Sequence, residues 1–97
     1  MTYDEFLQYC NSDGTVPEVS PLLMALYHDA KGEWDRAHEI VQDINGSGAS
    51  WIHAYLHRKE GDRGNASYWY SRAGKPFCNS GLEEEWNELA INFLTNG

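Results

Sequence analysis

The sequence predicts an all-α fold, and three observations carry the prediction. Apolar residues recur at three- and four-residue steps, as in Trp34, Ala37, Ile40, Val41 and Ile44. No segment sustains the period-two alternation of a strand, so no sheet is expected. Helix start signals ahead of apolar runs alternate along the chain with glycine-containing stops.

The first start is Thr2, three residues before Glu5, the spacing of a capping box, with Phe6, Leu7 and Tyr9 supplying an apolar side. A short helix is expected to about Cys10, closed by "NSDG". In "VPEVSP", Ser20 reads as an N-cap and Pro21 as the first helical residue, where its missing N–H costs nothing. Leu22, Leu23, Met24, Leu26 and Tyr27 continue that helix until Gly32. A third runs from about Glu33 to Ile44 and is ended by "NGSGA". Ser50 reads as the cap of a fourth, through about Lys59, which Gly61 stops. A fifth covers about Asp62 to Ala73, with Gly64 weakening its first turn by up to ~1 kcal/mol relative to Ala. "GKPFCNSG" is loop. Ser80 and Glu83 then form another capping box, for a last helix over 81–95 whose face is Leu82, Trp86, Leu89, Ala90, Phe93 and Leu94.

Ninety-seven residues, 41% of them apolar, make one globular domain over 1–97. A net charge of -8 repels a phosphate backbone, so nucleic acid is excluded as a partner. The charge is uneven: residues 51–76 hold five of the seven basic groups (Arg58, Lys59, Arg63, Arg72, Lys75) and only two acids, a basic island that suits an anion or simply faces water. Cys10 and Cys78 have no disulfide or zinc-finger spacing and read as reduced thiols. "MTYDEFLQYC" has neither the positive end nor the apolar run of a signal peptide, and no stretch approaches the ~20 apolar residues of a membrane span. A cytoplasmic protein without membrane contact is expected.

Sliding residues 22–44 onto 51–73 reveals an ungapped internal match at an offset of 29. Ala25 meets Ala54, His28 meets His57, Gly32 meets Gly61 and Ala37 meets Ala66, while Glu33 and Asp62 keep the acid after the glycine. Two helices joined by a tight turn need a glycine at positive φ and small residues where they cross, and these are the matched positions. In "AlyHdakGEWdrA" and "AylHrkeGDrgnA" the chain resembles the tetratricopeptide repeat family over roughly residues 20–75. It departs from that family in its period of 29, against ~34, and in placing histidine where an aromatic residue is usual. The resemblance implies two tetratricopeptide-like antiparallel hairpins, over 20–44 and 50–74, with N- and C-terminal helices capping their ends. It also implies that the first helix of each hairpin lines a concave face that receives peptides. By position that lining is Leu22, Leu26 and Asp29, then Trp51, Tyr55, Arg58 and Lys59.

The second set shares one helical face, and two aromatics with two cations suit a segment carrying acidic groups. The competing reading has Trp51 and Tyr55 packing on a neighbour, with Arg58 and Lys59 in water. His28 and His57, copied in both hairpins, read as packing residues. His53 faces Met24 in the other copy, so it is either a hydrogen-bonded core histidine or a local functional group. His38 is expected to be exposed. His53 and His57 lie at the i, i+4 spacing of zinc-binding helices, but "HAYLH" lacks the acid a metalloprotease places between them and further ligands can only be nominated, as Cys78 or Glu60, so no metal and no cofactor are assigned. No serine elbow, catalytic cysteine context or phosphate loop is present. The expected function is a protein- or peptide-interaction module, as monomer or homodimer, using Trp51, His53, Tyr55, Arg58, Lys59 and Arg72. Arg72 has a second reading, as a cation favouring the C-terminal carbonyls of its own helix. The alternative function, from a different class, is a small metal- or anion-binding catalytic protein centred on His53, His57 and Arg72.

Overall fold

The computed structural model describes residues 1–96, with side chains to residue 95. It contains six helices and, among the described residues, no strand: α1 Tyr3–Asn11, α2 Pro21–Ala30, α3 Trp34–Gln42, α4 Ser47–Lys59, α5 Arg63–Ala73 and α6 Leu82–Asn96. The all-α expectation holds. No helix is long and apolar enough to cross a membrane.

Local chemistry sets most of the helix ends. The Thr2 hydroxyl accepts from the Glu5 amide at 3.1 Å while the Thr2 amide donates to Glu5 Oε1 at 2.8 Å, completing the capping box of α1. The Ser20 hydroxyl accepts from the Leu23 amide at the start of α2, with Pro21 in the first turn. The Asp62 carboxylate caps α5 by accepting from the Asn65 amide. The connections α2–α3 and α4–α5 close alike. In the first, Gly32 at φ 80 donates to Asp29 O and Glu33 donates to His28 O; in the second, Gly61 at φ 90 donates to Arg58 O and Asp62 donates to His57 O. This paired bonding satisfies the last carbonyls of each helix and requires the left-handed residue that glycine supplies. Ala25, Ala37, Ala54 and Ala66 are all fully buried beside these turns.

Two starts differ from expectation. α4 begins at Ser47 behind Gly46 (φ 116), so Ser50 lies inside the helix rather than capping it. "NGSGA" is less a break than a close approach: a Cβ on Gly48 would meet Phe93 at 3.0 Å and Leu22 at 3.1 Å, so this first turn lies tight against α2 and α6. α6 begins at Leu82, and the Ser80 hydroxyl lies 3.1 Å from the Cys78 thiol instead of capping with Glu83.

α4 is the central helix. Every residue from Ala49 to Leu56 is buried, and it packs on α2, α3, α5 and α6. α1 joins through Phe6, which stacks on Trp86 of α6 at 5.9 Å. The radius of gyration, 12.5 Å, is about that expected of a globular chain of this length, so α6 lies back over the hairpins rather than lengthening an array.

α6 is held by a buried carboxylate. Glu85, 1% exposed, accepts from Trp51 Nε1 at 3.1 Å, from the Tyr70 hydroxyl at 2.6 and 2.8 Å, and from Arg58 Nε at 3.1 Å. Arg58 NH2 lies 3.0 Å from the same carboxylate without hydrogen-bond geometry, and NH1 donates to the Ser80 carbonyl at 2.9 Å. Removing one partner of such a buried pair leaves the other charge uncompensated, so Glu85→Ala is expected to lower the unfolding free energy by about 3–5 kcal/mol. A urea titration checks this as a lower midpoint at unchanged slope, with Glu85→Gln less damaging because its amide oxygen still accepts from Tyr70.

Candidate functional site

Because α4 is enclosed, its side chains are sorted by the neighbour they meet. Trp51 and Arg58 meet Glu85 of α6. The Tyr55 hydroxyl donates to Asp29 Oδ2 at 2.7 Å and Lys59 Nζ donates to Asp29 Oδ1 at 2.9 Å, so these two meet α2. Burial, then the Asp29 carboxylate, raise the Tyr55 hydroxyl above the ordinary tyrosine range and keep it protonated. The face expected to line a peptide groove is therefore largely packed against α2 and α6, with Asp29, Tyr55 and Lys59 still edging an open groove. Trp51 and Tyr55 are buried, and both cations have a carboxylate partner within the chain. The physical reason is that α6 covers α4 at Trp51 and Arg58 while α2 brings the Asp29 carboxylate to Tyr55 and Lys59.

His53 and His57 fall on the other side of α4, where α3 supplies what the sequence lacked. His38, expected to be exposed, is partly buried, with its ring stacked on Trp34 at 5.0 Å. Ring nitrogens of His38, His53 and His57 all lie within 4.8 Å of one another, and the closest pair, Nε2 of His53 and of His38, is 3.0 Å apart. Trp69 of α5 stacks on His53 at 3.9 Å, and Trp34 meets the edge of His57 at 5.9 Å. Trp34 is anchored in turn by its indole N–H on the Leu56 carbonyl at 2.8 Å. The three imidazoles thus have indole walls on two sides.

The electrostatics favour uncharged rings at His38 and His53. Burial, followed by the neighbouring His38 and His57, pushes His53 down to about 4. Burial and then His57 also lower His38. His57 differs in having Glu60 Oε1 2.7 Å from its Nδ1, which leaves Nε2 as its free ring nitrogen. Imidazole nitrogens gathered this closely are a donor type that borderline divalent metals such as zinc use, and a carboxylate on the remaining ring nitrogen orients such a ligand. His28 also has a carboxylate, Glu33, 2.8 Å from its Nδ1, but among the described residues it belongs to no such cluster. The repeat places the two histidines alike but not their acids, since Glu60 aligns with Lys31 and Glu33 with Asp62, and only the α3–α4 contact explains the cluster.

Beside the cluster lies a cavity of about 280 Å³ whose wall includes Gln42, Asn45, Gly46, Ser50, His53 and Arg72. The Arg72 guanidinium sits 5.8 Å from the Tyr68 ring and 5.5 Å from the Trp69 ring, and donates to the Tyr68 hydroxyl at 3.2 Å. The six residues expected from sequence thus divide: Trp51, Tyr55, Arg58 and Lys59 lie at α2 and α6, and His53 and Arg72 at this cavity. His38 was missed because its partners lie 15 and 19 positions along the chain; the nearest signal is the short α3–α4 connection, which makes those helices neighbours.

In metal-free protein the depressed His53 makes stability pH-dependent. An unfolded histidine takes its proton near 6.5 and the folded one only near 4, so the unfolded state binds more protons between them. His53's contribution is complete above about pH 6.5 and is lost as the pH falls towards about 4. The melting temperature in a chelator is expected to drop across that window, and His53→Gln to show a shallower drop. Equal slopes would remove His53 as the responsible group.

Comparison with known proteins returns no matching family model, no matching curated protein and no matching solved structure. The functional reading stands on the site itself.

Proposed function

We propose that this chain binds one divalent transition-metal ion, with zinc as the reference, through His38, His53 and His57. What carries the reading is the convergence of three ring nitrogens from two helices within 4.8 Å of one another. Tetrahedral zinc with nitrogen ligands at about 2.0–2.1 Å holds those nitrogens about 3.3 Å apart. The closest pair, at 3.0 Å, needs to open by only a few tenths of an ångström. Glu60 supports the third ligand, and the low proton affinity of His53 favours the free base that a metal requires. Three histidines leave a coordination position for water or a ligand, the pattern of reactive rather than purely structural zinc.

Protein incubated with zinc and then desalted is expected to retain one equivalent by elemental analysis. His38→Ala and His53→Ala, with helical circular dichroism unchanged, are expected to retain none, and Glu60→Gln to bind roughly 10–100-fold more weakly. Failure of the parent to retain zinc, nickel or copper, or retention by the His53 variant, would sink the proposal.

A second reading is favoured by a different feature. An open groove of about 400 Å³ runs along Tyr3, Leu7, Lys59, Glu83 and Trp86, bounded by α1, α2, α4 and α6. In this reading the chain is a cytoplasmic, tetratricopeptide-like interaction module, and a peptide's acidic group approaches Lys59, which remains 38% exposed beside Asp29. The like-built turns support the hairpin assignment and the two free thiols suit the location. Affinity capture is expected to enrich one partner that Lys59→Glu, which reverses the charge offered to the acidic group, loses and Arg36→Glu, outside the groove, keeps. Capture indifferent to Lys59→Glu excludes the groove.

A further inference from the structure

We propose that the cavity beside His53 is a binding site for a small oxyanion of carboxylate or phosphate type, held next to the metal ion. The inference deepens the metal-binding reading and rests on it for the second clause alone.

Four observations meet in this cavity. Its wall contains no aspartate or glutamate, although the chain carries fifteen acids and each of the other three described cavities has at least one in its wall. It does contain Arg72, which has no carboxylate partner among the described residues. The wall also includes the start of α4, at Gly46, Ala49 and Ser50. No side chain caps this thirteen-residue helix, and the amides of Ser47, Gly48 and Ala49 have no acceptor among the described residues. Lastly, Ser50 is 8% exposed, forms part of the wall, and its hydroxyl makes no hydrogen bond with a described residue.

These features add up chemically. Uncapped amides at a helix start carry a partial positive charge and are donors for an anion. A guanidinium adds a planar pair of donors matched to a carboxylate or phosphate. The Ser50 hydroxyl, on a buried residue of the cavity wall and without a partner among the described residues, is a further donor for whatever lodges there. Gln42 and Asn45 supply further amide donors on the same wall. A volume of about 280 Å³ admits a small acid or phosphate ester and excludes a folded segment. His53 belongs to both the cavity wall and the histidine cluster, so an anion lodged here lies beside the metal and can occupy the position that three histidines leave open.

The test titrates inorganic phosphate, and separately acetate and citrate at matched ionic strength, into ¹⁵N-labelled protein with and without one equivalent of zinc. Saturable shifts are expected at the Ala49 and Ser50 amides in both forms, tighter with zinc. The arms separate the two oxyanion classes by which of them saturates first. Arg72→Gln, an exposed substitution, is expected to weaken binding roughly tenfold or more while keeping one zinc per chain. Ser50→Ala is expected to weaken it by a smaller factor. If zinc binds but no anion shifts these amides, or if Arg72→Gln binds as well as the parent, the oxyanion site is overturned and the metal site stands. If anions bind through Arg72 but zinc is not retained, the oxyanion site stands and the metal reading falls.

Discussion

The carboxylate of Glu85 is the interaction on which the arrangement of the rest depends. An acid 1% exposed is a costly thing to bury, and it is tolerated because two other helices supply donors to it: Trp51 and Arg58 from α4 and Tyr70 from α5. The cost falls on any arrangement that omits one of them, since the remaining partners would face a buried charge with nothing opposite. Such a network specifies position more than it adds stability. It sets which side of α4 receives α6, and thereby which side remains for α3, with α5 reaching both through Tyr70 and Trp69.

That choice decides the chemistry. α4 carries two functional vocabularies on one thirteen-residue helix: an aromatic and basic set at 51, 55, 58 and 59, and a histidine pair at 53 and 57. With α6 seated on the first set, its cations are neutralised by Glu85 and Asp29. The histidine pair is left to α3 and α5, which bring His38, Trp34 and Trp69. The two sides share one helix, with the histidine pair lying along α4 between Trp51 and Arg58, the partners of Glu85.

Much of the fold was legible because its signals are local. Thr2 with Glu5, Ser20 with Pro21, and the glycines at 32 and 61 each act over a few residues, and each forms the cap or turn its spacing implies. Gly48 shows where local reading fails. Its sequence signature is that of a helix breaker, but its role is to let α4 approach Phe93 and Leu22, a contact made by distant residues. The orientation of α4 was illegible for a related reason. A helix buried on all sides has no polar stripe to mark its outward face, so periodicity cannot tell which set meets which neighbour. The histidine pair was visible at its i, i+4 spacing, whereas His38 is joined to it by tertiary packing alone.

The tryptophans inherit this division. Trp34 and Trp69 lie flat on His38 and His53 at 5.0 and 3.9 Å, whereas Trp51 and Trp86 hydrogen-bond Glu85 and the Leu26 carbonyl on the α6 side. The four indoles of the chain are therefore two optical populations, one in contact with the imidazoles and one with the clasp that seats α6. Emission from the first pair senses the electronic state of the histidine rings, and emission from the second senses whether the last helix is attached, so the molecule carries a separate reporter for each side of its central helix.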